Sequence, residues 1–229
     1  MRDSLQRVHA LLGEASLERL AHAHILIVGV GAVGGACAEA LARSGVGKLT
    51  IVDGDVFVAS NLNRQPFATT ATLGQPKTTA TADELACRAP TCAVTPIQMF
   101  LTAEDVPALL ASDAFTALID CCDDLPVKVA LLATATERGL PVWSAMGAAR
   151  KLDPTKLRVT DLSKTEICPL ARNLRQTLRK RGITRGIRCV WSTELPQPLG
   201  ADGTMGSLMP VTASAGLMLA ADCIHSLLA

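Results

Sequence analysis

Ile25-Leu-Ile-Val28 is an unbroken apolar run that ends at a glycine. A strand with one wet face alternates apolar and polar residues, whereas an uninterrupted run belongs to a strand covered on both faces. Leu49-Thr-Ile-Val52 has nearly the same texture, and further strands are predicted at residues 94–98, 117–120 and 141–144. Between them lie segments with helical spacing at 36–44, 77–87, 103–110 and 125–137, the first stopped by Gly45 and Gly47. Residues 17–23 read as the end of a helix that precedes the first strand. Strand and helix thus alternate, which predicts an α/β protein with a Rossmann-like, doubly wound, mostly parallel sheet and right-handed crossovers.

After Ser144 the texture changes. Strands are predicted at 157–161 and 187–193, around a basic helix at 169–181. A loop rich in proline and glycine covers 196–206, and an Ala/Leu-rich helix closes the chain from about Thr212. The expected organisation is one domain, with a core over about 20–150 and a C-terminal elaboration of extra strands and helices over 151–229.

Composition narrows the picture. Of 229 residues 49% are hydrophobic but only 3% aromatic, so the core must be aliphatic. So few aromatic rings also argue against a stacking platform for single-stranded nucleic acid. The uncharged stretch from Ile25 to Ala38 is too short to span a bilayer and carries Gly29, Gly31, Gly34 and Gly35. The first residues are charged and do not read as a secretory signal, so a soluble, cytoplasmic protein without membrane attachment is expected. Eight cysteines include no C-x-x-C pair, which excludes a zinc knuckle and favours reduced thiols. Cys168, in a polar loop before Pro169, is the best candidate for a reactive thiol, and Cys189 falls in a strand. Inert thiols are the expectation for both.

Chemistry enters at the first turn. Gly29-Val-Gly31-Ala-Val-Gly34 matches G-x-G-x-x-G between a strand and a helix, a pattern that brings backbone close to phosphate at a helix N-terminus. Asp53 ends the next strand, where an acid can take ribose hydroxyls. This much also suits a nicotinamide-dependent oxidoreductase. The continuation Asp53-Gly-Asp55, then Ser60-Asn61-Leu-Asn63-Arg64-Gln65, then Lys77, does not. Fixed cations near a nucleotide serve phosphates and the charge that grows on an α-phosphate under attack. Asp120-Cys-Cys-Asp123-Asp124 follows another strand, where a carboxylate can hold magnesium. Blander readings stay open: Asp123 as a helix cap, Asp55 as the start of a turn, Asn61 and Asn63 bonding their own loop, Arg64 and Lys77 as solvated surface charges.

The set Asp53-x-Asp55, Ser60-Asn-Leu-Asn-Arg-Gln65, Lys77 and Asp120-x-x-Asp123 resembles the ubiquitin-activating-like adenylyltransferase superfamily of ThiF type. The resemblance implies ATP and Mg2+ as cofactors. It places Asp53 on the ribose, Asn61, Arg64 and Gln65 along the phosphates, Lys77 at the α-phosphate and Asp123 on magnesium. Arg7, before Leu11-Leu-Gly13, resembles an arginine that in dimeric members reaches the partner subunit's site; a plain surface arginine is the alternative. A homodimer follows from that resemblance, and a sulfur-carrier or cysteine desulfurase partner is compatible with it.

Downstream, Gly147-Ala-Ala-Arg-Lys-Leu152, Cys168-Pro-Leu-Ala-Arg172, Arg179-Lys-Arg-Gly182 and Val190-Trp-Ser-Thr-Glu194 resemble the tRNA threonylcarbamoyladenosine dehydratase branch. Members that adenylate a small carrier protein commonly hold zinc in two C-x-x-C pairs, which this chain does not have. Charge points the same way. The segment that starts at Lys164 and ends at Arg188 carries +7, while the whole chain carries +1. Such asymmetry suits a patch that binds tRNA phosphates, although a solvated helix face or a dimer contact would also use it.

Overall fold

The computed structural model describes residues 2–229. Seven strands form one sheet: β1 (His24–Val28), β2 (Lys48–Asp53), β3 (Ala93–Gln98), β4 (Ala117–Asp120), β5 (Val142–Ala145), β6 (Leu157–Asp161) and β7 (Ile187–Ser192). Their order is β3-β2-β1-β4-β5-β7-β6, and every pair is parallel except β6–β7. The two late strands therefore extend the sheet of the first five. Pro96, which has no N–H to donate, lies in β3 at one edge of the sheet.

Successive residues of β1 feed opposite layers. Ile25 and Ile27 pack with the cluster that holds Leu41, Leu85 and Leu219, and Leu26 and Val28 with the one that holds Leu132, Leu174 and Trp191. The first layer contains α2 (Glu14–His22), α3 (Ala32–Arg43), α4 (Lys77–Arg88) and α8 (Met209–Leu228). The second contains α5 (Val106–Leu109), α6 (Leu125–Glu137) and α7 (Pro169–Arg179). α1 (Gln6–Leu12) precedes α2 and buries none of its residues. Helices on both faces explain why strand residues read as continuous apolar runs.

Boundaries differ from the expectation where glycine or proline sits inside an element. α3 begins at Ala32, within the glycine motif, four residues before the expected start. α8 begins at Met209 because Pro210 suits a first helical turn. α5 shrinks to four residues behind a turn in which Asp105 accepts from the Thr102 amide and hydroxyl. α8 is long and apolar enough to cross a membrane by length and composition. It serves here as a core helix: a Cβ at Gly216 would lie 2.2 Å from the Val33 carbonyl, so the two helix backbones are in near contact.

Candidate active site

Strand order reverses between β1 and β4, and in open α/β sheets the crevice beyond the carboxyl ends of such strands is where ligands bind. Gly29 follows β1 with φ +85°, a conformation that glycine adopts freely. A Cβ there would meet the Cys121 carbonyl, beyond β4, at 2.8 Å. Gly34 lets α3 close on the strand, since a Cβ would stand 1.8 Å from the Gly29 oxygen. No side chain caps the N-terminus of α3 at Gly31, so its first amides are left to an anion.

Asp53 binds this turn from β2. Its Oδ2 accepts from the Val30 amide and its Oδ1 from the Asp55 amide, both at 2.9 Å. A carboxylate keeps further acceptor sites after two such bonds, so ribose hydroxyls remain within its capacity. Asp55 in turn accepts from Lys77 Nζ at 2.7 Å. The Lys77 side chain is only 8% exposed while Asp55 is 57% exposed, so a buried ammonium is held by a carboxylate that solvent reaches. Lys77 is therefore no solvated surface charge, and Asp55 does more than start a turn.

The loop after β2 contributes unequally. Asn61 is buried and its Oδ1 accepts from the Val58 amide, so this side chain builds its own turn, the blander of its two readings. Gln65 lies beside Gly31, and its buried Oε1 has no hydrogen-bond partner among the described residues. An orphaned buried acceptor costs about 1–3 kcal/mol unless a ligand or water satisfies it. Arg64 donates to the Ser60 carbonyl and to Asn63 Oδ1, and no carboxylate neutralises it among the described residues. Asn63 Nδ2 reaches the Ser207 carbonyl at 3.1 Å, which ties the loop to the segment before α8.

After β4, the two aspartates of Asp120-x-x-Asp123 part company. Asp120 is fully buried and accepts from Lys128 Nζ and Ser144 Oγ, each at 2.6 Å. Both its partners are buried with it, so it is neither exposed to a ligand nor a cap of α6. Asp124, rather than Asp123, caps α6 by accepting from the Val127 amide. Asp123 is exposed and carries no hydrogen bond or ion pair among the described residues. Among those residues no group of three or more His, Cys, Asp or Glu side chains is placed to hold a metal ion. Asp123 alone fits magnesium only if phosphates supply most other ligands, which is how Mg2+ is commonly bound.

Sequence reasoning passed over Lys128, although a lone lysine in an otherwise apolar helix is a legible signal. Burial works against its charge, but Asp120 more than compensates and its pKa is raised. Lys128 also donates to the Ala145 carbonyl, so the ammonium joins the ends of β4 and β5. Burial pushes the Cys121 and Cys189 thiols up to about 12. Cys168, the candidate for a reactive thiol, is buried and packs near Gly147.

Arg7 lies elsewhere. Leu5 and Leu17 pack at Gly45, beyond the C-terminal end of α3, at the amino ends of the strands. α3 is 12 residues long, about 18 Å at 1.5 Å per residue. The exposed Arg7 is thus held away from its own chain's crevice. Arg188 departs from the basic segment as well, paired with Asp222 of α8 at 2.6 Å.

A doubly wound sheet with a glycine turn, a carboxylate at the end of β2 and unneutralised or buried cations at its switch point defines a nucleotide-binding α/β protein. The ThiF family model matches residues 4–229, and the chain belongs to that family. A Bacillus subtilis tRNA threonylcarbamoyladenosine dehydratase is 38% identical over 196 residues, 86% of this chain and 77% of the relative. The solved Escherichia coli tRNA N6-threonylcarbamoyladenosine dehydratase in complex with ATP superposes with a TM-score of 0.93 at 34% identity, covering 99% of this chain and 94% of that one. The Escherichia coli molybdopterin-synthase adenylyltransferase is 31% identical over 199 residues, 87% of this chain and 76% of the relative.

Proposed function

We propose that the protein is an ATP-dependent tRNA threonylcarbamoyladenosine dehydratase that acts as a cytoplasmic homodimer with magnesium. The observation that carries the reading is the buried Lys77 ammonium joined through Asp55 and Asp53 to the glycine turn. A dinucleotide hydride carrier has no use for a buried cation there. A triphosphate whose α-phosphorus is attacked does.

A carboxylate is a poor electrophile, and transfer of AMP to it supplies a leaving group. The nucleophile is tethered in the same threonylcarbamoyl side chain, so ring closure with net loss of water benefits from high effective molarity. In this reading Asp53 holds the ribose, Gln65 and Arg64 take the phosphates, Lys77 faces the α-phosphate and Asp123 meets magnesium. Asn61 shapes the loop that presents them. The rival reading, adenylation of a ubiquitin-like or sulfur-carrier protein with or without a cysteine desulfurase partner, draws on the likeness to the molybdopterin enzyme. Pyrophosphate release driven by threonylcarbamoylated tRNA and not by carrier proteins is the expected outcome, and the reverse pattern would replace the first reading by the second.

Saturating ATP with magnesium should raise the melting temperature and NAD should not. Binding at a hundredfold excess over Kd adds about 2.7 kcal/mol, which for a chain of this size corresponds to about 5–10 °C. Thermal denaturation with each ligand measures this, and a shift with NAD alone would return the site to the oxidoreductases.

Arg7 bears on the dimer. Held away from its own crevice, it can serve only a neighbour's. Arg7→Ala and Lys77→Ala subunits, each inactive alone, should regain activity when mixed, because every mixed dimer keeps one site with both residues. Mixed dimers verified by mass that stay inactive would remove Arg7 from the site.

A further inference from the structure

A second cavity, of about 330 Å³, opens beside α7. Arg172, Arg175, Arg179 and Arg185 line it, and its floor is aliphatic, from Leu162, Leu178, Ile183 and Ile187. It lies where β7 begins, and β7 runs parallel to β5, so it sits at the amino ends of the strands. Six strand residues separate it from the level of the glycine crevice, about 20 Å. It is not the ATP site.

Its cations are available. Arg172, Arg179 and Arg185 form no ion pair among the described residues. Arg175 donates to the Thr165 hydroxyl, which itself donates to the Leu162 carbonyl, so one guanidinium is held in place. The one acid in the wall, Asp161, is occupied by the Ser163 hydroxyl and by the amides of Ser163 and Gly186. Exposed Gln176 and Thr184 complete the lining with groups that both donate and accept.

A site for bare phosphate needs no aliphatic floor and no such two-way groups. An unpaired nucleotide uses all three: guanidinium forks for its phosphate, an apolar surface for its base to cover and hydrogen-bonding groups for the base edge. We propose that this cavity binds one unpaired nucleotide of the RNA substrate, distinct from the nucleotide being modified and at the opposite ends of the strands from it. The assignment rests on the tRNA reading above. It explains why the arginines cluster around a hollow instead of spreading over a convex face.

The test uses the whole protein and fluorescence-anisotropy titration over a salt series, with unmodified tRNA, a short single-stranded RNA, a fully paired duplex and free UMP. Arg172→Gln/Arg179→Gln/Arg185→Gln should weaken tRNA binding about tenfold or more and flatten the log–log salt slope by about 1, the change for one phosphate. The triple lysine variant should keep the slope but lose the preference for single-stranded over paired RNA. Both should melt like the parent and retain the ATP-dependent shift. A parental salt slope in the glutamine variant, or a parental preference in the lysine variant, overturns the pocket while the tRNA reading stands. Free UMP that binds as tightly as RNA would assign the cavity to a small nucleotide and also overturn it. A parent that binds no tRNA, yet releases pyrophosphate with a carrier protein, defeats the tRNA reading and the pocket with it.

Discussion

Lys77→Ala is expected to lower turnover at saturating substrates by about 100- to 1,000-fold, the loss usual when one fixed donor to a developing charge is removed. The side chain is 8% exposed and already oriented by Asp55 at 2.7 Å, so it needs little reorganisation as charge accumulates on the α-phosphate. ATP affinity should fall far less, because ground-state binding is shared with the glycine turn, Gln65 and Asp53. Arg64→Ala should follow the same pattern with a smaller loss, since that side chain is held only by its own loop. Single-turnover rates set against ATP dissociation constants separate the two quantities. Equal losses in affinity and rate would make both residues simple binders, and unchanged turnover in both would remove them from the chemistry.

The second large effect concerns stability. Lys128→Met is expected to cost about 3–5 kcal/mol, because it strands the fully buried Asp120 carboxylate without its cation. Both side chains are fully buried, and Asp120 would keep only Ser144 and the Cys122 amide and thiol as donors. Asp120→Asn/Lys128→Met should recover part of that loss, since an amide bonds Ser144 and the Cys122 amide without charge. Urea denaturation of the parent, the single and the double variant gives the coupling. A single variant as stable as the parent would mean that the pair is not a closed charge system. The pair lies under the loop that carries Asp123, so a destabilised variant that still folds should also bind magnesium–ATP less tightly than ATP alone.

The sheet was legible because both its faces are covered: β4 and β6 occur at the residues that the apolar pattern marks. Helix starts were less so, since α3 begins inside a glycine motif that propensity alone reads as a turn. The glycines and Asp53 could be picked out from their place after a strand, and Lys77 as a cation close behind them, whereas Gln65 came only with the family resemblance. Their connection, Asp53 through Asp55 to Lys77, needs a fold that brings the start of α4 back to the end of β2. The pairing of Lys128 with Asp120 and the arginine-lined cavity were hidden for the same reason. Asp120 lies eight residues before Lys128, and the cavity joins residues from the short turn Leu162–Lys164, α7 and the approach to β7. The +7 segment showed that positive charge gathers here, but only the fold separates Arg188, spent on Asp222, from the arginines around the hollow.

Asp53 has a kinetic meaning besides its proposed role at the ribose. By holding the Val30 and Asp55 amides together, it fixes the glycine turn before any nucleotide arrives. The entropy of ordering that turn is spent when the chain folds, not when ligand binds. Association then amounts to docking on a finished surface, without the slow step of a loop that must first find its shape. Discrimination among nucleotides consequently falls on how fast each one leaves.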